Sequence, residues 1–254
     1  MRSSAARPAG WPGASVLLLF DIDGTLVSGA SEAVGEAVHT ALAEVHGVDA
    51  RTLRRLIATA GRTDGEIARA VLLEAGVSGA SIDRLADAVR EHCCRAYARR
   101  CPDDLSHTVL PGVRPLLCGL AARPDVKLGL LTGNYEPIAR LKLARAGIGH
   151  LFPPGQGAFG SDAEDRAALP AIARRRAGTG GRPHPRRQTV VIGDTPRDIA
   201  CARADGVSCV AMATGPCAAE ELSEADAVVR EAAELPGALA ELGFPLTDRA
   251  PARR

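Results

Sequence analysis

At 254 residues the chain can bury a full hydrophobic core, and its 46% hydrophobic and 24% charged content are those of an ordinary soluble globular protein. A formal net charge of +1 gives no strong pull toward nucleic acid or an acidic membrane surface, and the longest apolar runs fall far short of the roughly 20 residues that a membrane span needs. Seven cysteines, odd in number and without zinc-site spacing, read as reduced core thiols in a cytoplasmic protein.

Residues 1–15, rich in Arg, Pro, Gly and Ser, read as a loose tail without the features of a secretory leader. Val16 to Phe20 is an unbroken apolar run, the pattern of a strand buried on both faces of a sheet. It ends abruptly in acid: Asp21 and Asp23 at i and i+2, then Gly24 and Thr25. Desolvating carboxylates costs several kcal/mol each unless a metal or donors compensate, so the pair implies chemistry rather than packing. A calcium loop is a poor alternative. Glu32 falls at position twelve from Asp21, but Leu26 occupies position six, where such a loop needs Gly.

Helical spacing follows over Ser31–His46 (Val34, Val38, Leu42, Val45), Ala50–Ala60, Asp64–Ala75 and Ser81–Arg99. Residues 28–109 carry no strand signal and read as an all-helical unit inserted after the first strand. Beyond Pro111 and Gly112 the pattern changes. Helices are expected at Val113–Ala122, Glu136–Ala146, Ala167–Ala177 and up to Ala204; strands at Val126–Leu131, Thr189–Ile192, Val207–Ala213 and Ala227–Val229. Such alternation predicts an α/β fold, a Rossmann-like parallel sheet with helices on both faces, formed from residues 16–27 and 110–245 with a tail at 246–254. The Gly-, Pro- and Arg-rich segment Gly178–Gln188 reads as a loop. GQGAFG (Gly155–Gly160) fits a dinucleotide pattern by letter only, since it follows two prolines and opens no βαβ unit.

Ligands of such sheets bind beyond the carboxyl ends of the strands, where strand order reverses. Three ends carry polar groups: Asp21 and Asp23, then Thr132 with Asn134, then Asp194 with Asp198. Converging carboxylates form an oxygen cage suited to a hard cation, Mg2+ being usual when phosphate shares the site. DIDGTL, the Thr132 of LLTGN and GDTPRD (Gly193–Asp198), in this order and each after an apolar strand, resemble the motifs of the haloacid dehalogenase superfamily of aspartate-nucleophile phosphohydrolases.

The resemblance implies a Mg2+-dependent phosphatase acting on a small-molecule phosphate ester. Asp21 would be the nucleophile and Asp23 the acid and base. The metal would sit on Asp21, the Asp23 main-chain carbonyl and Asp194, with Asp198 close by or acting through water. Thr132 and the backbone N–H groups around Gly133 and Asn134 would hold phosphoryl oxygens. The family's third motif is usually Lys. Here Arg166 stands at the expected place, and its guanidinium can fork onto phosphate and carboxylate together. Lys142, one of only two lysines against 29 arginines, competes for the role but is expected to face away. Arg166 could instead pair only with Glu164 or Asp162 at the surface, and Asp198 could be a solvated helix residue. The helical insertion would be the cap that closes over the site. In it, AGRTDGEI (Ala60–Ile67) resembles caps of phosphoglycolate phosphatase-like enzymes, making Arg62 a candidate substrate ligand. Equally, Thr63 and Glu66 read as a capping box with an exposed Arg62.

Within the superfamily, Asp23 speaks against a dehalogenase, and the lack of any Lys in residues 28–109 against a Schiff-base phosphonatase. A phosphosugar mutase shares the same acid and base, and a silent binding module remains the alternative from another class.

Overall fold

Five residues, β1 (Val16–Phe20), form the middle of a six-stranded, all-parallel sheet in the order β3-β2-β1-β4-β5-β6. The other strands are β2 (Val126–Thr132), β3 (Ala158–Phe159), β4 (Thr189–Gly193), β5 (Ser208–Met212) and β6 (Ala227–Val229). The computed structural model describes residues 15–54, 57–244 and 246. The tails expected at 1–15 and 246–254 therefore fall almost wholly outside the described residues.

Period-two alternation divides the core. Leu18 and Phe20 of β1, with Leu128, Leu130, Val190 and Ile192, face one side and join a cluster that includes the helical insertion. Leu17 and Leu19, with Leu131, Val191 and Cys209, face the other. That second face is covered by α7 (Leu169–Ala177) and α8 (Pro196–Asp205), whose Leu169, Ala173, Ile199 and Ala202 complete it. Burial on both faces is why these strands read as continuous apolar runs.

Between β1 and β2 the chain is helical: α1 (Glu32–His46), α2 (Arg51–Arg54), α3 (Asp64–Glu74), α4 (Gly79–Arg100) and α5 (Val113–Ala121). Of these, α1 and α4 pack face to face, burying Val34, Val38 and Leu42 with Ile82, Val89 and Tyr97. Past β2 come α6 (Glu136–Arg145), α7, α8 and α9 (Leu235–Glu241). The fold is thus an α/β Rossmann-like sheet with an inserted all-helical cap.

Two expectations need correction and two elements come as additions. Of the helix expected at 50–60, the described residues show α2, then, beyond residues 55 and 56, which lie outside them, a non-helical stretch from 57 that closes in a turn where Arg62 N–H donates to Thr59 O (3.0 Å). The helix expected from Ala167 begins as a 3-10 turn, Arg166–Ala168, before α7. β3 lies inside GQGAFG and pairs Ala158 with Leu131 and Phe159 with Thr132. α9 was not signalled, since its seven residues include both Pro236 and Gly237. None of the seven cysteines is disulfide-bonded, and Cys93, Cys101, Cys201 and Cys209 are the expected core thiols, but Cys94 and Cys217 are half-buried and Cys118 is exposed on α5.

Candidate active site

The strand order reverses at the neighbours of β1, and two of the three polar ends meet there. Phe20 pairs with Ile192, and the Asp21 N–H donates to Ile192 O (2.8 Å), extending the β1/β4 ladder by one residue. Asp21 is thereby fixed beside Asp194, which follows β4 directly. Asp198, in the first turn of α8, completes the group: one oxygen from each of Asp21, Asp194 and Asp198 lies within 4.8 Å of the others, all three residues buried.

Arg166 enters this cluster from its 3-10 turn. Its Nη2 lies 3.2 Å from Asp21 Oδ1 and directly on Asp198 Oδ1, and the residue is buried. Neither surface alternative holds, because Glu164 pairs with Arg69 and Asp162 with Arg176. Asp198 is no solvated helix residue either. Its Oδ2 accepts from the N–H (3.0 Å) and Oγ1 (2.6 Å) of Thr195, closing the capping box of α8.

Asp194 is held differently. Its Oδ1 accepts from Thr25 Oγ1 (3.2 Å), whereas its Oδ2 is buried with no partner among the described residues. Gly24 makes room for that oxygen, as a Cβ there would stand 2.1 Å from it. An all-oxygen set with one buried oxygen unused fits a hard divalent cation such as Mg2+, and Asp21 and Asp194 are the residues best placed to hold it. Burial pushes the Asp21 carboxyl up to about 7, reinforced by Asp198 and Asp23 and opposed by Arg166. It pushes Asp194 up to about 8, reinforced by Asp21 and Asp198. Three crowded carboxyls cannot all ionise comfortably without further positive charge.

Asp23 does not join this cluster. Its carboxylate is turned to Lys142, whose Nζ donates to both oxygens (2.8 and 2.7 Å), and Ser31 Oγ adds a contact to Oδ1 (3.2 Å). The expectation that Lys142 faces away is therefore corrected: it is fully buried on the inner face of α6 and points back to the strand ends. A signal was present, since Ile138, Ala139 and Lys142 fall on one helical face at i, i+1 and i+4.

Thr132 ends β2, buried, and its Oγ1 accepts the Asn134 N–H (3.3 Å). Gly133 meets the cap. A Cβ on it would stand 2.1 Å from Arg62 O, and its own carbonyl accepts the Asp64 N–H (2.8 Å). Thr63 Oγ1 caps α3 by accepting the Glu66 N–H (3.0 Å) and also donates to Glu164 O (2.7 Å). One half of the expected capping box is therefore present, but the Glu66 side chain goes to the Arg62 guanidinium (2.9 Å), and Arg62 is half-buried rather than exposed, with its Nε buried without a partner among the described residues. The cap turn thus sits directly on the end of β2.

Residues 18–203 match the family model of the haloacid dehalogenase-like hydrolases. The chain belongs to that family. Among its haloacid dehalogenase-like relatives, the phosphoglycolate phosphatase of Rhodospirillum rubrum is 31% identical over 201 residues, 78% of this chain and 79% of the relative. That of Pseudomonas syringae pv. syringae is also 31% identical over 201 residues, covering 78% and 70%. CbbY from Rhodobacter sphaeroides, solved in complex with phosphate, shares the fold at TM-score 0.60 and 22% identity over 87% of this chain and 96% of its own. As a haloacid dehalogenase-like hydrolase with such relatives, the chain is a phosphatase of the phosphoric monoester hydrolase class. Among the described residues no helix is long and apolar enough to cross a membrane.

Proposed function

We propose that the protein is a Mg2+-dependent phosphatase that hydrolyses a small phosphate monoester of the phosphoglycolate kind by way of an aspartyl-phosphate on Asp21. The observation that carries this reading is the buried Asp21 carboxylate set against Arg166, with Asp194 and Asp198 within 4.8 Å. The curated relatives named for phosphoglycolate support the substrate class.

Asp21 attacks phosphorus in line, and the bond to the ester oxygen breaks as Asp23 gives that oxygen a proton. Asp23, now a carboxylate, takes a proton from the water that attacks the acyl phosphate, releasing phosphate and restoring Asp21. The metal, held by Asp21, the Asp23 carbonyl and Asp194, would supply charge neutralisation between nucleophile and phosphate. Arg166 supplies a permanent cation on the nucleophile's oxygen, and Asp198 holds it there by its other contacts. Both Asp198 oxygens are already engaged, by Arg166 and Thr195, so its part in metal binding would run through water. Thr132 and the Gly133 backbone line the phosphoryl side. The Asn134 side chain serves Lys142 and Asp64 rather than substrate. Seven unpaired cysteines suit a reducing compartment, and we place the enzyme in the cytoplasm.

The test is release of inorganic phosphate from 2-phosphoglycolate and a panel of sugar phosphates with Mg2+. Wild type is expected to release it and Asp21→Asn to fall to background. Isomer exchange without phosphate release would replace the hydrolase with a mutase, and equal inactivity of both proteins across the panel would leave a binding module.

A further inference from the structure

A continuous line of contacts runs from the cap to the proposed acid and base. Asp64, on the cap turn, accepts the Tyr135 N–H at Oδ2 (2.8 Å) and the Asn134 Nδ2 at Oδ1 (3.4 Å). On its other side Asn134 offers Oδ1 to Lys142 Nζ (2.9 Å), and Lys142 grips both oxygens of Asp23. The neighbours fix the orientation of the Asn134 amide, because an ammonium needs an acceptor on one side and a carboxylate needs a donor on the other.

Lys142 reinforces the point by its type. Among 31 basic residues it is one of two lysines, and it is wholly buried. A compact ammonium with three donors matches the three acceptor oxygens that meet it, whereas a planar guanidinium would need more room and a forked partner. All three protons have a use, so the site is complete.

We infer that Lys142 is the positioning residue for Asp23, and that Asp64 and Asn134 tie this positioning to the seating of the cap. When the cap turn lies on Gly133, Asp64 orients Asn134, Asn134 orients Lys142, and Lys142 holds the Asp23 carboxylate in one place. With the cap lifted, the first link is gone and the acid is less well held. This assigns the cap a part in proton transfer as well as in enclosure. It rests on the phosphatase reading above.

The experiment compares kcat/KM for two esters, 2-phosphoglycolate and p-nitrophenyl phosphate, with the full-length protein and Mg2+. This parameter reports the steps through the first phosphoryl transfer. The alkyl ester needs a proton on its leaving oxygen; the nitrophenolate leaves without one. Their ratio within one preparation is independent of how much protein is folded. In Lys142→Met the loss on 2-phosphoglycolate is expected to exceed that on the aryl ester by at least about tenfold, the lower part of what general acid help gives. In Asp64→Asn the same selective loss is expected at about threefold, the scale of one net hydrogen bond. Equal losses on both esters in both variants would overturn the inference. A selective loss in Lys142→Met alone would overturn the cap's share of it. If Lys142→Met yields no soluble protein, the Asp64→Asn ratio decides. Wild type inactive on both esters would instead bring down the phosphatase reading itself.

Discussion

Two arginines, eight residues apart and each only 6% exposed, meet aspartates in opposite ways. Arg174 on α7 donates Nε and Nη2 to the two oxygens of Asp205 (2.5 and 2.9 Å) and Nη1 to His184 O (2.7 Å), and Arg186 adds a third contact to the Asp205 carboxylate. Its donors are matched by acceptors. Arg166 places Nη2 between Asp21 and Asp198 and leaves Nε buried without a partner among the described residues, while Asp194 Oδ2 nearby is equally alone. Buried polar groups are nearly always paired, so the complete set is that of an ion pair bracing the fold, whereas the incomplete one, beside three crowded carboxyls, fits the cation proposed above.

The sharpest way to break this contrast is to remove each guanidinium. Arg166→Met is expected to lower kcat/KM for the phosphate ester by about 10²–10³, the scale of losing one preorganised charge. Arg174→Met should leave the turnover of folded protein near wild type and destabilise it by about 3–5 kcal/mol, because Asp205 loses its bidentate partner in the interior. Thermal melts and steady-state kinetics on both variants check this. A similar kinetic loss in Arg174→Met would erase the distinction.

A smaller effect tests the lone oxygen. Mg2+ at about a hundred times its dissociation constant should stabilise wild type by about 2.7 kcal/mol. Arg174→Met should keep that gain and Asp194→Asn lose most of it. A thermal-shift titration reads the result, and a wild type indifferent to Mg2+ would sink the metal assignment.

Asp64 lies between the two extremes, with two neutral donors and, among the described residues, no ion-pair partner. Burial pushes its carboxyl up to about 6, from an ordinary 3.8. A carboxyl raised on folding makes the native state bind more protons than the unfolded one between these values, so its contribution falls as pH rises from about 4 to 6. Asp64→Asn removes that dependence. The variant should therefore gain stability relative to wild type as pH rises through this window and hold a constant difference above it. Denaturant melts at several pH values measure the trend, and a flat difference throughout would show that Asp64 is not strained by burial.

How much was legible in the sequence follows from what each residue does locally. Asp21, Asp194 and Thr132 end strands whose apolar runs are unmistakable, and strand ends of a parallel sheet converge by topology, so position along the chain translated into position in space. Arg166 was placed by order between motifs, although its burial was not. The burial of Lys142 is not legible locally, because a charged residue in a helix ordinarily faces water, and the partners that reverse this preference, Asp23 and Asn134, reach it only through tertiary folding. Likewise β3 is two residues long at the sheet edge, too short for alternation to show, and exists because β2 offers it a ladder.

The near-touch of Gly133 with the carbonyl of Arg62 bears on traffic through the enzyme. Backbone pressed on backbone leaves no gap for a solute to slip through at that spot, and the amide of Asp64 and the hydroxyl of Thr63 are both spent across the same seam. Parting the cap turn from the sheet at this point would cost both of those bonds at once, and reseating it would restore them.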